Sequence, residues 1–122
     1  MKKLPDAEFE VMQIMWKNQP PLTTAMMMQQ LGAGCDWRVQ TLIVLLNRLI
    51  DRGFVRSEKK GKERTYYPVV GEAEYLHFET SMFIERFHRN SVTHLVATLV
   101  DANKVSDSDM EMLTRLLEDK GR

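Results

Sequence analysis

The residues in this sequence whose type and spacing best suit chemistry are cations. Between Asp36 and Arg64 stand eight of them, Arg38, Arg48, Arg52, Arg56, Lys59, Lys60, Lys62 and Arg64, against only four carboxylates. The whole chain carries 17 basic and 17 acidic residues, so its zero formal charge hides a strong local excess. Residues 65–122 reverse the balance, with six basic and ten acidic residues. A concentrated basic segment beside an acidic one is the expected electrostatic footprint of a phosphate binder with a separate partner-binding half. A solvated basic turn is the plain alternative on charge alone. Interleaved with the cations are Gln40, Thr41 and Asn47, polar side chains of the kind that hydrogen-bond base edges or backbone phosphates.

Other chemistries find no footing. The six glycines are scattered and form neither GxGxxG nor GxxxxGK, and HExxH and CxxC are absent. His77, His88 and His94 would make a metal site only if two or three converged, with a carboxylate such as Glu85. Histidines on the surface or in packing are the commoner case. The lone Cys35 cannot form an internal disulfide and fits a reducing cytoplasm. With no nucleophile–base pair, neither an enzyme nor a cofactor or metal requirement is expected.

The elements that would carry the cations follow from periodicity. At 122 residues, 43% of them hydrophobic, the chain suits one compact domain or a small domain with an interaction segment. No run approaches the length of a membrane span, and the acidic residues Asp6, Glu8 and Glu10 argue against a signal peptide. The first helix is expected from Pro5 to Lys17, with Phe9, Met12 and Trp16 on its apolar face and Val11 and Met15 widening it. Pro20 and Pro21 stop it. A second helix starts at Thr23 or Thr24, either able to cap, runs through Leu31, and ends at Gly32 and Gly34. The third is the clearest: Leu42, Leu45, Leu46 and Leu49 form one stripe, Gly53 closes it, and Gln40, Thr41, Val44, Asn47, Arg48 and Asp51 lie opposite. Val44 fits either a thymine methyl or the edge of the core stripe. From Phe54 the period becomes two, giving strands Phe54–Glu58 and Thr65–Val70 around a basic tip, Lys59–Arg64, with Gly61 at its turn.

From Glu72 the chain is helical and acidic. Leu76, Phe83 and Phe87 share a face flanked by Phe78 and Met82. Val92, Leu95, Val96 and Leu99 form another stripe, and Ser106 with Asp109 forms a capping box that opens a last helix through Leu113 and Leu116. About fifty residues of amphipathic helix do not close a stable core alone, and the cheapest partner is the same surface on a second copy. The expected fold class is therefore mainly α: a winged helix-turn-helix of three helices plus a β-hairpin wing over residues 1–71, followed by a helical dimerisation segment over residues 72–122.

Two blocks sharpen this picture. Pro5-Asp-Ala-Glu-Phe-Glu-Val-Met-Gln-Ile-Met-Trp16 resembles the first-helix signature of the BlaI/MecI penicillinase-repressor family. Asp36-Trp37, Gln40-Thr41-Leu42, Leu45, Arg48-Leu49 and Gly53-Phe54-Val55 resemble its recognition helix, and Tyr66-Tyr67-Pro68 the end of its wing. The resemblance spans essentially the whole chain. It implies a cytoplasmic homodimer that represses genes from a palindromic operator, under control of a membrane metalloprotease sensor or of proteolysis that such a sensor triggers. In the penicillinase branch the cut falls at an Asn-Phe bond in the fifth helix; Thr98 and Leu99 stand at the matching place, so β-lactam induction does not follow from the match. The copper-responsive branch has a cysteine-rich tail, whereas this sequence runs Glu118-Asp-Lys-Gly-Arg122. Where the family starts its recognition helix with Ser or Thr then Pro, Arg38-Val39 stand here, leaving Asp36 as the expected cap.

The expected DNA-contacting set is Thr23, Thr24, Arg38, Gln40, Thr41, Val44, Asn47, Arg48, Lys59, Lys60, Lys62 and Arg64. The expected dimerisation set is Phe78, Phe83, Phe87, Leu95, Leu99, Leu113 and Leu116. The partners implied are double-stranded operator DNA, a second copy of the chain, and the sensor or its protease. The rival from another class is a winged helix used for protein assembly without DNA. Lysine, abundant in the hairpin, is depleted at protein interfaces and argues against it.

Overall fold

The computed structural model describes residues 1–31 and 34–121. Its elements are, in order, α1 (Asp6–Lys17), α2 (Thr24–Leu31), α3 (Val39–Asp51), β1 (Val55–Lys60), β2 (Glu63–Pro68), α4 (Glu72–His88), α5 (Val92–Asp101) and α6 (Asp107–Lys120). The chain divides into two units, Met1–Glu79 and Thr80–Arg122.

In the first unit three helices close around the stripe of α3. Leu42, Leu46 and Leu49 are fully buried and Leu45 nearly so, against Val11, Met12, Ile14 and Met15 of α1 and Met27 of α2. The centre of the α1 face thus lies on Val11, Met12 and Met15, while Phe9 and Trp16 are half-buried at its flank. Pro5 stands just outside α1 as its N-cap, with φ −58°, rather than in the first turn. Gly32 lies outside the described residues; Gly34 sits in a turn after α2.

What occupies the α1 flank is a residue from beyond the expected domain boundary. Tyr75 of α4 is fully buried, its ring 5.8 Å from Phe9, 5.8 Å from Trp16, 5.6 Å from Phe54 and 6.1 Å from Phe78 between centroids. Its hydroxyl accepts a 2.7 Å hydrogen bond from the Leu4 backbone N–H, and the Trp16 indole N–H donates to the Val70 carbonyl at 3.0 Å. Buried tyrosine and tryptophan satisfy their polar ends in this way. The first turns of α4 therefore belong to the first unit, which ends at Glu79 and not at residue 71. Phe78, expected in the dimer set, is half-buried against this same core, so much of its apolar surface is covered within one chain.

An ion pair between buried Glu8 and exposed Arg52 braces α1 against the end of α3. Glu8 is 1% exposed, and its Oε1 accepts from Arg52 Nε at 2.7 Å. A carboxylate taken out of water requires such a partner. At Arg52 the helix ends in a Schellman turn: Gly53, at φ +82°, donates to the Ile50 carbonyl, and Phe54 donates to Leu49. A left-handed φ of this kind is why glycine stands there.

The strands are longer toward the tip than the sequence suggests. β1 and β2 pair antiparallel from Val55↔Pro68 to Lys60↔Glu63, leaving Gly61-Lys62 as a two-residue turn. Gly61 has φ +63° and Lys62 no positive φ, the pattern of a II′ turn with glycine first. Lys59, Lys60 and Arg64, expected at the tip, are thus ladder residues. Leu22, ahead of α2, bridges to Tyr66 by two backbone hydrogen bonds of 3.1 and 2.8 Å, fastening the wing to the helical layer.

The second unit, described by itself, comprises the end of α4 with α5 and α6. Ser91 caps α5, and a Schellman turn with Asn103 at φ +56° closes it. Ser106 and Asp109 form the expected capping box of α6, where bonds from the Ser106 backbone and side chain hold the Asp109 carboxyl below its ordinary range. Among the described residues no apolar side chain of this unit is buried. His88 is buried and its Nδ1 lies 2.8 Å from that of His94. No third ligand joins them, and no group of three metal-binding side chains is found among the described residues.

Candidate nucleic-acid interface

Helix α3 is sharply two-sided. While its leucines are buried, Gln40, Thr41, Val44, Asn47 and Arg48 are all exposed. Val44 is 48% exposed, which resolves its ambiguity in favour of the outer face. Arg38 is the N-cap of α3 with extended backbone, and no side chain caps the helix, so Asp36 does not take that role. The first N–H groups of α3 are left for solvent or a ligand.

Beside α3 lies a cleft of about 730 Å³, walled by the start of α2, by Ile43, Asn47 and Ile50 of α3, and by the hairpin. Thr23 and Thr24 line it from α2. Thr23 is the residue that caps α2, its hydroxyl oxygen accepting from the Met26 N–H at 3.2 Å. From the wing come Lys62 and Arg64, with Glu63 the only carboxylate among the lining residues. The structure thus gathers Asn47, both threonines and two of the four expected wing cations about one concavity, while Arg38, Gln40, Thr41, Val44 and Arg48 are exposed but are not among its lining residues. Lys59 and Lys60 are exposed but do not line the cleft.

Ser57 was not legible as part of this site. It is half-buried, lines the cleft and accepts a 2.9 Å hydrogen bond from Arg64 Nη1. The only signal for it is strand parity, and that depends on knowing where the hairpin turns. The opposite side of the ladder is a closed cluster. Arg56 stacks 3.9 Å over the Tyr67 ring and bonds Glu58 at 2.9 Å, while the Tyr67 hydroxyl donates to Glu58 at 3.3 Å. The Arg56 hydrogen bond holds the Glu58 carboxyl below its ordinary range.

Of the expected dimer set, Phe83, Phe87, Leu99, Leu113 and Leu116 are exposed and Leu95 half-buried. Thr98 and Leu99 are both exposed on α5, with the Thr98 hydroxyl donating back to the His94 carbonyl at 2.9 Å. Among the described residues no helix is long and apolar enough to cross a membrane.

Comparison with known proteins agrees with this geometry. A family model described as penicillinase repressor matches residues 4–119. The penicillinase repressor of Bacillus licheniformis is 29% identical over 122 residues, which is 98% of this chain and 94% of that protein. The methicillin resistance regulatory protein MecI of Mammaliicoccus sciuri is 26% identical over 118 residues, or 97% and 95% of the two chains. The solution structure of the DNA-binding domain of the repressor BlaI superposes with a TM-score of 0.52 at 33% identity, covering 62% of this chain and 94% of that one. The monomeric form of B. licheniformis BlaI in complex with the blaP half-operator gives 0.51 at 31% identity, covering 61% and 89%.

Proposed function

This chain belongs to the penicillinase repressor family, and we propose that it is a cytoplasmic transcriptional repressor that binds a palindromic operator as a homodimer. The observation that carries the proposal is the two-sidedness of α3: a wholly buried leucine stripe behind an exposed row of Gln40, Thr41, Val44, Asn47 and Arg48. A major groove accepts one helix, and the buried stripe leaves only this face free to enter it. Gln40 suits a bidentate bond to adenine, Arg48 a guanine or phosphate, and Thr41 and Val44 a thymine methyl. Thr23, Thr24, Arg38 and the wing cations suit the phosphates alongside, which position the protein without reading sequence.

Gln40→Ala is expected to relax preference at one position per half-site, costing about 1–3 kcal/mol of discrimination. Competition binding across single-position operator variants checks this. If the variant ranked every operator as the parent does, the face assignment would be wrong.

Homodimerisation is supported by the second unit, whose Phe83, Phe87, Leu99, Leu113 and Leu116 are exposed in the single chain although they lie on amphipathic helices. A self-complementary two-fold contact is the usual way to cover such faces. Release of the operator follows from a cut in α5 near Thr98–Leu99, made by a membrane metalloprotease sensor or a protease it activates. Family membership supports this step, as does the exposure of both residues in the single chain. Incubating the full-length protein with extract of induced cells, then mapping fragments by mass spectrometry, should find a cut between about Ala97 and Val100. Loss of operator binding with the chain intact would remove proteolysis from the account.

A further inference from the structure

The basic hairpin is not uniformly basic, because antiparallel pairing sorts its side chains by face. Residues directly opposite one another project to the same side. The ladder therefore places Ser57 with Tyr66 and Lys59 with Arg64 on one face, and Arg56 with Tyr67, Glu58 with Thr65 and Lys60 with Glu63 on the other. Tyr66 is buried and Ser57 half-buried, so the first face is the one turned toward α3 and the cleft. On it the two cations Lys59 and Arg64 meet no carboxylate on the ladder. On the outer face Arg56 is ion-paired with Glu58, and Lys60 stands opposite Glu63, which at the turn end of the ladder also lines the cleft.

We propose that the wing engages the DNA backbone through its inner face alone, with Arg64, aimed by the Ser57 hydroxyl, as the phosphate ligand, and with Arg56 taking no part. The proposal rests on the DNA-binding function stated above and names the part of the wing that serves it. Arg64 lines the cleft with its guanidinium tethered to Ser57 at 2.9 Å, while the plane of Arg56 is stacked on Tyr67 and its charge is spent on Glu58. A tethered guanidinium still offers other N–H donors to a phosphate and loses less rotamer freedom on binding it. Ser57 acts as a positioning residue.

The test is binding of the full-length protein to a mixed-sequence DNA duplex over a range of salt concentrations, which reads phosphate contacts without needing the operator. Arg64→Gln is expected to flatten the slope of log affinity against log salt by about 1 per bound chain. Arg56→Gln, removing the same charge from the same hairpin, is expected to leave the slope as it is. Ser57→Ala should weaken binding about threefold to tenfold with the slope unchanged, because the charge remains but is no longer held, and Ser57→Thr should restore affinity. Equal slopes for Arg64→Gln and Arg56→Gln, whether both lowered or both parental, would overturn the one-sided wing. Parental affinity for Ser57→Ala would remove its positioning role. Absence of salt-dependent duplex binding by the parent chain would instead refute the DNA-binding function itself.

Discussion

Tyr75→Ala is expected to lower the stability of the first unit by about 3–5 kcal/mol, the usual cost of emptying a large aromatic site in a core. For a unit of this size each kcal/mol moves the unfolding midpoint by roughly 4–8 °C, so thermal unfolding reads the effect easily. Four aromatic rings pack on Tyr75, and Leu4 loses its buried acceptor as well. Tyr75→Phe keeps the ring contacts and loses only that acceptor, at about 1–3 kcal/mol. Alkaline pH gives an independent reading. Burial pushes the Tyr75 hydroxyl from its ordinary value of 10.0 up to about 12, the Leu4 N–H opposes this, and the neighbouring Glu79 carboxylate adds to it. Because the folded value is raised, the stabilisation is intact below pH 10 and disappears as pH climbs toward about 12. Tyr75→Phe should lack this particular loss. The same residue sets where the first unit can be cut: a chain ending at Gly71 should be far less stable than one ending at Glu79, since it lacks the cluster's central ring. Equal midpoints for the two fragments would make α4 dispensable to the winged unit.

Leu113→Asp combined with Leu116→Asp is expected to yield a monomer with an intact first unit. Both leucines are exposed on α6 in the single chain, so the substitutions leave no cavity. Two charges on the face proposed to meet a second copy would oppose its burial. The monomer should bind a full operator more weakly by a factor of roughly 10²–10⁴, because the second recognition helix no longer acts at high effective concentration. Binding to a half-site should hardly change. Sedimentation together with titration on both DNA lengths checks the pair of outcomes. A variant that stays dimeric would move the interface away from α6.

The parts of this fold that were legible are those where one local rule decides. The α3 stripe, Gly53 at its end, the Ser106–Asp109 box and the change to strand period at the hairpin each follow from spacing within a few residues. What was not legible depends on contacts distant in sequence. Nothing near Tyr75 says that it fills a hole between Phe9, Trp16 and Phe54, so charge and periodicity place the boundary at residue 71 while contacts carry the first unit to Glu79 and half-bury Phe78. The Leu22↔Tyr66 bridge joins segments more than forty residues apart and leaves no local pattern. At the candidate site, the exposure of the α3 row follows from residue types and spacing, because a helix with a fixed buried face has only one other side. The wing was harder. Shifting the turn to Gly61-Lys62 moved Lys59, Lys60 and Arg64 from a loose tip into a ladder, where parity decides which way each faces.

The central claim, that this chain reads DNA as a two-fold dimer through α3, is tested most directly by selecting bound sequences from a random-sequence duplex pool with the full-length protein. The expected result is enrichment of an inverted repeat whose half-sites are one helical turn, or a multiple of it, apart. Repeating the selection with Gln40→Ala should blur one position in each half-site and leave the spacing unchanged. A pool that emerges without any enriched repeat would contradict the account.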